Sequence, residues 1–249
     1  MSFTDIIPDI HGQAEKLRHA LQNLGWQRNG TTWRHPEPDR QIVFLGDFID
    51  RGPENGAVIQ IVRELMDAGR AQAIMGNHEL NALHFHTVDP ETGAPLRLHD
   101  NDNLVQHESF LKEFPLGASH TKDVLDWMKG LPLFLETDEF RAVHAAWIQP
   151  AIYKLREQTG IGILSQDQLI RAARKSDELY ELAEAVTKGP EARLPHPHSF
   201  VDKGKKVRSS VRVKWWNGDA LNWHQLAMSV PDVDQLPDAE PAEGEEHEH

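Results

Sequence analysis

Residues 41–52 read QIVFLGDFIDRG, a short apolar run followed by two glycines, two aspartates and an arginine. Residues 41–45 have the length and bounds of a buried strand, closed by Gly46. Gly46 and Gly52 allow tight backbone paths and close approach of a ligand. Asp47 at the strand end can bridge two cations, and Arg51 offers a planar fork for phosphate oxygens. The plainer reading is an acidic turn salt-bridged to Arg51. Five specified residues in seven positions weigh against it.

On the upstream side, Thr4–Ile7 is an apolar run ending at Pro8 and reads as a first buried strand. Leu17, Ala20, Leu21 and Leu24 then recur at helical spacing, with Gly25 as a stop. Asn29-Gly30 between Trp26 and Trp33 predicts a small hairpin. Downstream, residues 53–68 read as a helix with Ala57, Ile61 and Leu65 on one face, and residues 71–75 as a third strand. Alternating strands and helices predict an α/β fold whose sheet is at least partly parallel and flanked by helices. Ligands of such sheets gather outside the carboxyl ends of the strands.

Each predicted strand is followed by a polar set. Asp9 and His11, two apart on an extended chain, point the same way and can share a cation, although a capping Asp with a surface His is the plainer reading of that triplet alone. Gly76-Asn77-His78-Glu79 offers a neutral oxygen ligand and a proton donor suited to neutral pH, against a capped helix start. His144 closes a later predicted strand at 140–145 and by itself would read as a core histidine. The weight lies in their order along the chain.

In that order the segments resemble the calcineurin-like metallophosphoesterases, and within them the branch of phosphoprotein phosphatases and bacterial diadenosine-tetraphosphatase-like enzymes. The pattern is Asp-x-His, Gly-Asp-x-x-Asp-Arg-Gly, Gly-Asn-His-Glu, a strand-end His and a final Gly-His. The first four span Asp9 to His144. The resemblance implies a sandwich of mixed sheets flanked by helices, with the active site at the strand ends. It implies two divalent metals, one held by Asp9, His11 and Asp47, the other by Asp47, Asn77 and His144. Manganese is favoured, with iron, zinc or magnesium as alternatives. A metal-bridging hydroxide would attack phosphorus in line, between cations about 3.5–4 Å apart. His78 would protonate the leaving oxygen, Asp50 would orient it, and Arg51 and Asn77 would bind phosphate. The implied substrate is a phosphoserine or phosphothreonine protein, or a dinucleoside polyphosphate.

Two departures stand out. Pro8 occupies the position where the pattern has Gly, and no Gly-His follows His144. The second metal site is therefore expected to be incomplete, through truncation or through recruitment of another ligand. His196, His198 and His224 are candidates, each read first as a loop or strand histidine. A weakened relative acting as a phosphate-binding or interaction protein is the alternative function. The intact Asp50, Arg51 and His78 argue against it, since turnover rather than folding needs them.

Other readings are excluded or bounded by composition. With no Cys, any metal must sit on Asp, Glu, His or Asn. Neither a Walker loop nor a His-Glu-x-x-His motif occurs. No apolar run approaches the roughly 18 residues of a membrane span, and the first residues lack the basic start of a signal peptide, so the cytoplasm is expected. The net charge of −13 disfavours nucleic acid, and enzymes of nucleic-acid phosphate ends are a third choice. Eight of those acids lie in residues 231–249 with no Lys or Arg, which reads as a disordered acidic tail behind a 1–230 domain. Within that domain, 84–118 is read as an irregular insertion or cap, 124–128 as helical, 132–135 as a strand, 149–187 as a helical subregion and 207–216 as a strand. Lys203, Lys205, Lys206, Arg208, Arg212 and Lys214 beside Trp215 and Trp216 are read as a charged outer face with one Trp packed inward. A surface for a polyanion is the alternative.

Overall fold

The computed structural model describes residues 3–30, 32–202 and 204–238. The chain starts with β1 (Thr4–Ile7) and α1 (Ala14–Asn23), whose Leu17 and Leu21 face the core. The hairpin of β2 (Gln27–Asn29) and β3 (Thr32–Arg34) follows, with Gly30 at φ +65 in its turn and Trp26 and Trp33 buried beneath. Then come β4 (Gln41–Phe44), α2 (Asn55–Asp67) and β5 (Ala71–Ala73). Strands β1, β4 and β5 make one parallel sheet in that spatial order, with Ile7 opposite Phe44 and Phe44 opposite Ala73. Their carboxyl ends open on one edge, and β4 is central. The loop after β4 is therefore the one that can reach both neighbours.

α3 (Asn77–His86), α4 (Asn101–Glu113) and α5 (Ser119–Lys129) lead to the hairpin of β6 (Phe134–Glu136) and β7 (Arg141–Val143). The helical stretch α6 (Gln149–Thr159), α7 (Gln166–Arg171) and α8 (Glu178–Thr187) follows as the sequence predicts. The remainder is β8 (Glu191–Arg193), β9 (Phe200–Val201), β10 (Val207–Arg208), β11 (Ser210–Val213), α9 (Trp223–Leu226), β12 (Ala227–Met228) and a 3-10 turn Val233–Gln235. β8, β11 and β12 form an antiparallel sheet. Its core, with Leu194, Phe200, Val211 and Trp223, is separate from the main one. Trp215 joins the two parts by donating its Nε1–H to the Ala145 carbonyl at 3.1 Å.

Four local expectations are corrected. The 84–118 insertion is not irregular: 101–113 is helical, with Asp100 capping the start by accepting from Asn103 N–H at 2.9 Å. Only part of β1 is buried. Asp5 and Ile7 point inward and Ile6 is 50% exposed, because Asp5 takes hydrogen bonds from Trp26 Nε1 at 2.9 Å and Arg40 Nη2 at 2.6 Å. The strand at 207–216 is two short strands separated at Ser209 and ending at Val213. The tail expected from 231 is ordered through 238, where Leu236 enters the smaller core; residues 239–249 lie outside the described residues. The basic run behaves as an outer face, with Arg208 on Asp202 and Lys206 on Asp102, Trp215 inward and Trp216 60% exposed. Lys203 lies outside the described residues. Among the described residues, no helix is long and apolar enough to cross a membrane.

Candidate metal centre

The loops after β1 and β4 are tied together by main chain: Ile10 and His11 N–H donate to the Asp47 carbonyl at 3.0 and 2.8 Å, and Gly12 N–H to that of Phe48 at 2.8 Å. Such close approach needs residues without side chains. A Cβ on Gly12 would sit 2.7 Å from the Gly52 carbonyl oxygen, and one on Gly46 would run into the Gly76 main chain. His11, Asp47, Asp50 and Arg51 all have φ between 47 and 69, the left-handed region that side chains disfavour. Two further non-glycine residues share it among those described, Lys205 and Ser229. Strain of this kind persists where surrounding bonds over-determine the loop, and functional sites are where it collects.

Asp47 is the hub. His11 Nε2 lies 3.7 Å and His144 Nε2 3.4 Å from its Oδ2, and Asp9 Oδ2 is 3.6 Å from His11 Nε2. Two sets of side chains converge closely enough to hold an ion: His11, Asp47 and His78, and Asp9, Asp47 and His144. Asp47 belongs to both. His78 joins one set, where the sequence reading gave it only a proton-transfer role. Asn77 is half-buried at the first position of α3, one residue from His78.

The His11 and His144 imidazoles are each fixed through Nδ1 by a main-chain carbonyl. His11 Nδ1 faces the Ile49 carbonyl at 3.0 Å and His144 Nδ1 the Leu45 carbonyl at 2.6 Å. A carbonyl only accepts, so each Nδ1 carries a hydrogen, and Nε2 is the ring atom turned toward Asp47. His11 Nε2 is buried without a hydrogen-bond partner. That orphaned atom, among carboxylates and a second imidazole, fits a divalent cation. In the cation-free chain, burial works against the His144 imidazolium, but Asp47 outweighs it and lifts the group to about 9. Burial likewise raises the Asp47 carboxyl, yet His144 and His78 carry it down to about 2.

Beside this hub stand His78, Asp50 and Arg51. His78 Nδ1 bonds Asp50 Oδ2 at 2.6 Å, and its Nε2 is 3.5 Å from Arg51 Nη2 and 3.9 Å from Asp47 Oδ2. Arg51 is exposed, with its guanidinium reachable by an anion from solvent. His196, His198 and His224 lie outside the converging sets, as the plainer reading of each has it. No described His, Asp or Glu from the C-terminal part joins them.

Three residues were missed as contributors. Glu79, fully buried, accepts from Asp47 N–H at 2.7 Å, Phe48 N–H at 2.8 Å and Gly76 N–H at 3.0 Å, pinning the loops after β4 and β5 together. Burial and the nearby Asp47 push its carboxyl up to about 7. Asn55 accepts from Asp50 N–H at 2.7 Å, and His107 reaches Asp50 from α4. Glu79 was visible inside its motif. Asn55 and His107 have no local signature, since their partners are set by packing.

A family model described as calcineurin-like phosphoesterase matches residues 4–164. The chain is 46% identical over 74 residues to an asymmetrical bis(5'-nucleosyl)-tetraphosphatase of Oceanobacillus iheyensis, covering 30% of this chain and 29% of that protein. It is 29% identical over 188 residues to a symmetrical bis(5'-nucleosyl)-tetraphosphatase of Janthinobacterium sp. strain Marseille, covering 76% of this chain and 52% of that protein. Among solved structures, a cold-active protein-tyrosine phosphatase of a Shewanella species matches with 18% identity and a TM-score of 0.43, over 74% of this chain and 53% of that one. The chain spans about half or less of the length of these curated relatives. With the family model covering most of the chain, from the first strand past the His144 strand end, the protein belongs to the calcineurin-like phosphoesterases.

Proposed function

We propose that this chain is a two-metal phosphohydrolase acting on a phosphoanhydride, with a dinucleoside tetraphosphate as the preferred substrate. The observation that carries the mechanism is Asp47, whose Oδ2 lies near both His11 Nε2 and His144 Nε2 while His78, held by Asp50, stands next to it. The substrate class rests on the printed names of the relatives.

Asp9, His11, Asp47, Asn77 and His144 are the proposed metal ligands. When bound, divalent cations there would supply positive charge to the phosphoryl oxygens and make a nearby water more acidic. Manganese suits this mixture of carboxylate, amide and imidazole, and iron, zinc and magnesium are tested beside it. The chain's own residues do the rest. Arg51 and Asn77 bind the phosphoryl oxygens, the former with a planar pair of donors. His78, oriented by Asp50 through Nδ1, gives a proton from Nε2 to the leaving oxygen as the P–O bond breaks. Water supplies the hydroxyl added to phosphorus and the proton that restores His78. We place the enzyme in the cytoplasm, a compartment compatible with a chain that carries no Cys.

The test is hydrolysis of diadenosine tetraphosphate and of p-nitrophenyl phosphate with added Mn²⁺, comparing the chain with Asp47→Asn. Metal-dependent turnover in the first and none in the second is expected, and the nucleotide products reveal which P–O bond is cut. Equal rates in both proteins would remove the bridging carboxylate from the mechanism.

A further inference from the structure

The Asp50 carboxylate is held by two imidazoles, and the mechanism above uses one. Oδ2 bonds His78 Nδ1 at 2.6 Å, and Oδ1 bonds His107 Nδ1 at 2.8 Å; all three side chains are buried. A carboxylate only accepts, so each ring carries a hydrogen on the nitrogen that faces it. His107 Nε2 lies 3.3 Å from His86 Nε2, and one of the two rings donates to the other there. The order His86, His107, Asp50, His78 is thus one continuous run of hydrogen bonds.

His107 belongs to α4, inside the segment read from sequence as an insertion or cap. The same helix fastens the Asp50 loop a second way. Glu113 accepts from Asn55 N–H at 2.6 Å, Asn55 Nδ2–H at 2.8 Å and Gly56 N–H at 2.9 Å. Asn55 Oδ1 in turn accepts from Asp50 N–H at 2.7 Å. Both the main chain and the side chain of Asp50 are therefore reached from α4, and Asp50 needs that hold because its φ is +69. The His107 ring is itself fixed by stacking on Phe110, with centroids 4.8 Å apart and planes at 22°.

We propose that His107 is a positioning residue for phosphoryl transfer: by occupying Asp50 Oδ1 it keeps Oδ2 turned to His78 Nδ1, and so keeps His78 Nε2 aimed at the leaving oxygen. This rests on the reading of His78 as the donor to that oxygen. An orienting carboxylate sets both the tautomer and the direction of its imidazole, and losing that hold disables the imidazole without removing it. Loss of His107 should then tell most where the leaving group needs its proton most.

The experiment uses the full chain with added Mn²⁺ and two substrates, p-nitrophenyl phosphate, whose leaving oxygen is stable unprotonated, and phenyl phosphate, whose leaving oxygen is more basic. His107→Phe keeps the stack on Phe110 and deletes the donor, whereas His107→Asn keeps a donor near the Nδ1 position. A general acid contributes about 100-fold or more, so a misdirected one is expected to cost about tenfold in kcat on phenyl phosphate. On p-nitrophenyl phosphate the same variant should lose much less, with KM and bound metal unchanged, and His107→Asn should recover most of the loss. An equal fall on both substrates, or loss of metal, would make His107 a structural residue and overturn the proposal. So would unchanged kinetics in His107→Phe. A second readout needs no turnover: ¹H–¹⁵N spectra of histidine-labelled protein should show a His78 Nδ1–H held in its bond to Asp50 in the wild type and in His107→Asn, and that signal lost or broadened in His107→Phe. An unchanged His78 spectrum in His107→Phe sinks the proposal even if the wild type is inactive. An inactive wild type with the spectral change present removes the hydrolase reading and leaves the positioning contact standing.

Discussion

Glu79 does at the level of one residue what no local pattern could achieve. Its two oxygens gather N–H groups from Asp47, Phe48 and Gly76, so the Asp47 loop and the start of α3 are set by one buried side chain. Glu79→Gln keeps the volume but replaces one acceptor oxygen by a donor that faces an N–H. Leaving a buried donor unpaired costs about 1–3 kcal/mol, seen as a lower urea midpoint. Partners behind metal ligands typically matter by about 10–100-fold in metal affinity or activity, and a Mn²⁺ titration of Glu79→Gln should fall in that range. A variant with wild-type midpoint and wild-type affinity would show that the three bonds are replaceable.

The elements meet at glycines. At φ −89 Gly76 has an ordinary backbone, yet a Cβ there would lie 2.5 Å from Asp47 N and closer still to Asp47 Oδ1. Gly69, in the turn after α2, has φ +65 and open space around it. Gly76→Ala should therefore cost about 1–3 kcal/mol by overpacking and displace Asp47, with loss of metal binding. Gly69→Ala carries only the left-handed penalty of about 1–2 kcal/mol and should leave metal binding intact. Thermal melts and metal titrations of the pair separate crowding at the site from backbone strain away from it. If Gly69→Ala lost metal as readily, crowding would not be the cause.

Two features of the whole molecule lead to predictions. Asp5 is buried; burial alone would raise its carboxyl, but the bonds from Arg40 and Trp26 outweigh that and hold it below the usual range. A carboxyl depressed in the folded state stabilises above the unfolded value of about 4, and that contribution is lost as pH falls through the folded value. Asp5→Asn should therefore lie below the wild type in urea midpoint at pH 7, with the gap narrowing as pH falls below about 4. A gap that stayed constant would assign the effect to packing around Trp26. The second feature is the separate core around Phe200, Val211 and Trp223. A part with its own small core can open without the rest. Backbone amides of β11 should then exchange with deuterium well before those of β4; equal protection would mean that the bond from Trp215 to Ala145 and its neighbours fuse the two parts into one cooperative unit.

Sequence by itself determined the alternation of β1, α1, β4, α2 and β5, because apolar periodicity and glycine stops are local properties of the chain. It also determined which side chains follow each strand: parallel strands present their following loops at one edge, so Asp9, Asp47 and His78 had to gather there. Placement of α4 was a tertiary decision. Its exposed Leu104 and Val105 blur the helical pattern, while His107 and Phe110, three apart, form the buried face. Pairing across distance was decided there too: His107 is 57 residues from Asp50, and Asp5 is 35 from Arg40. Residues so far apart carry no mark of each other in a single sequence. Their contact exists because packing the apolar faces of the helices brings them within reach, and because burial then makes an unpaired charge too costly to leave.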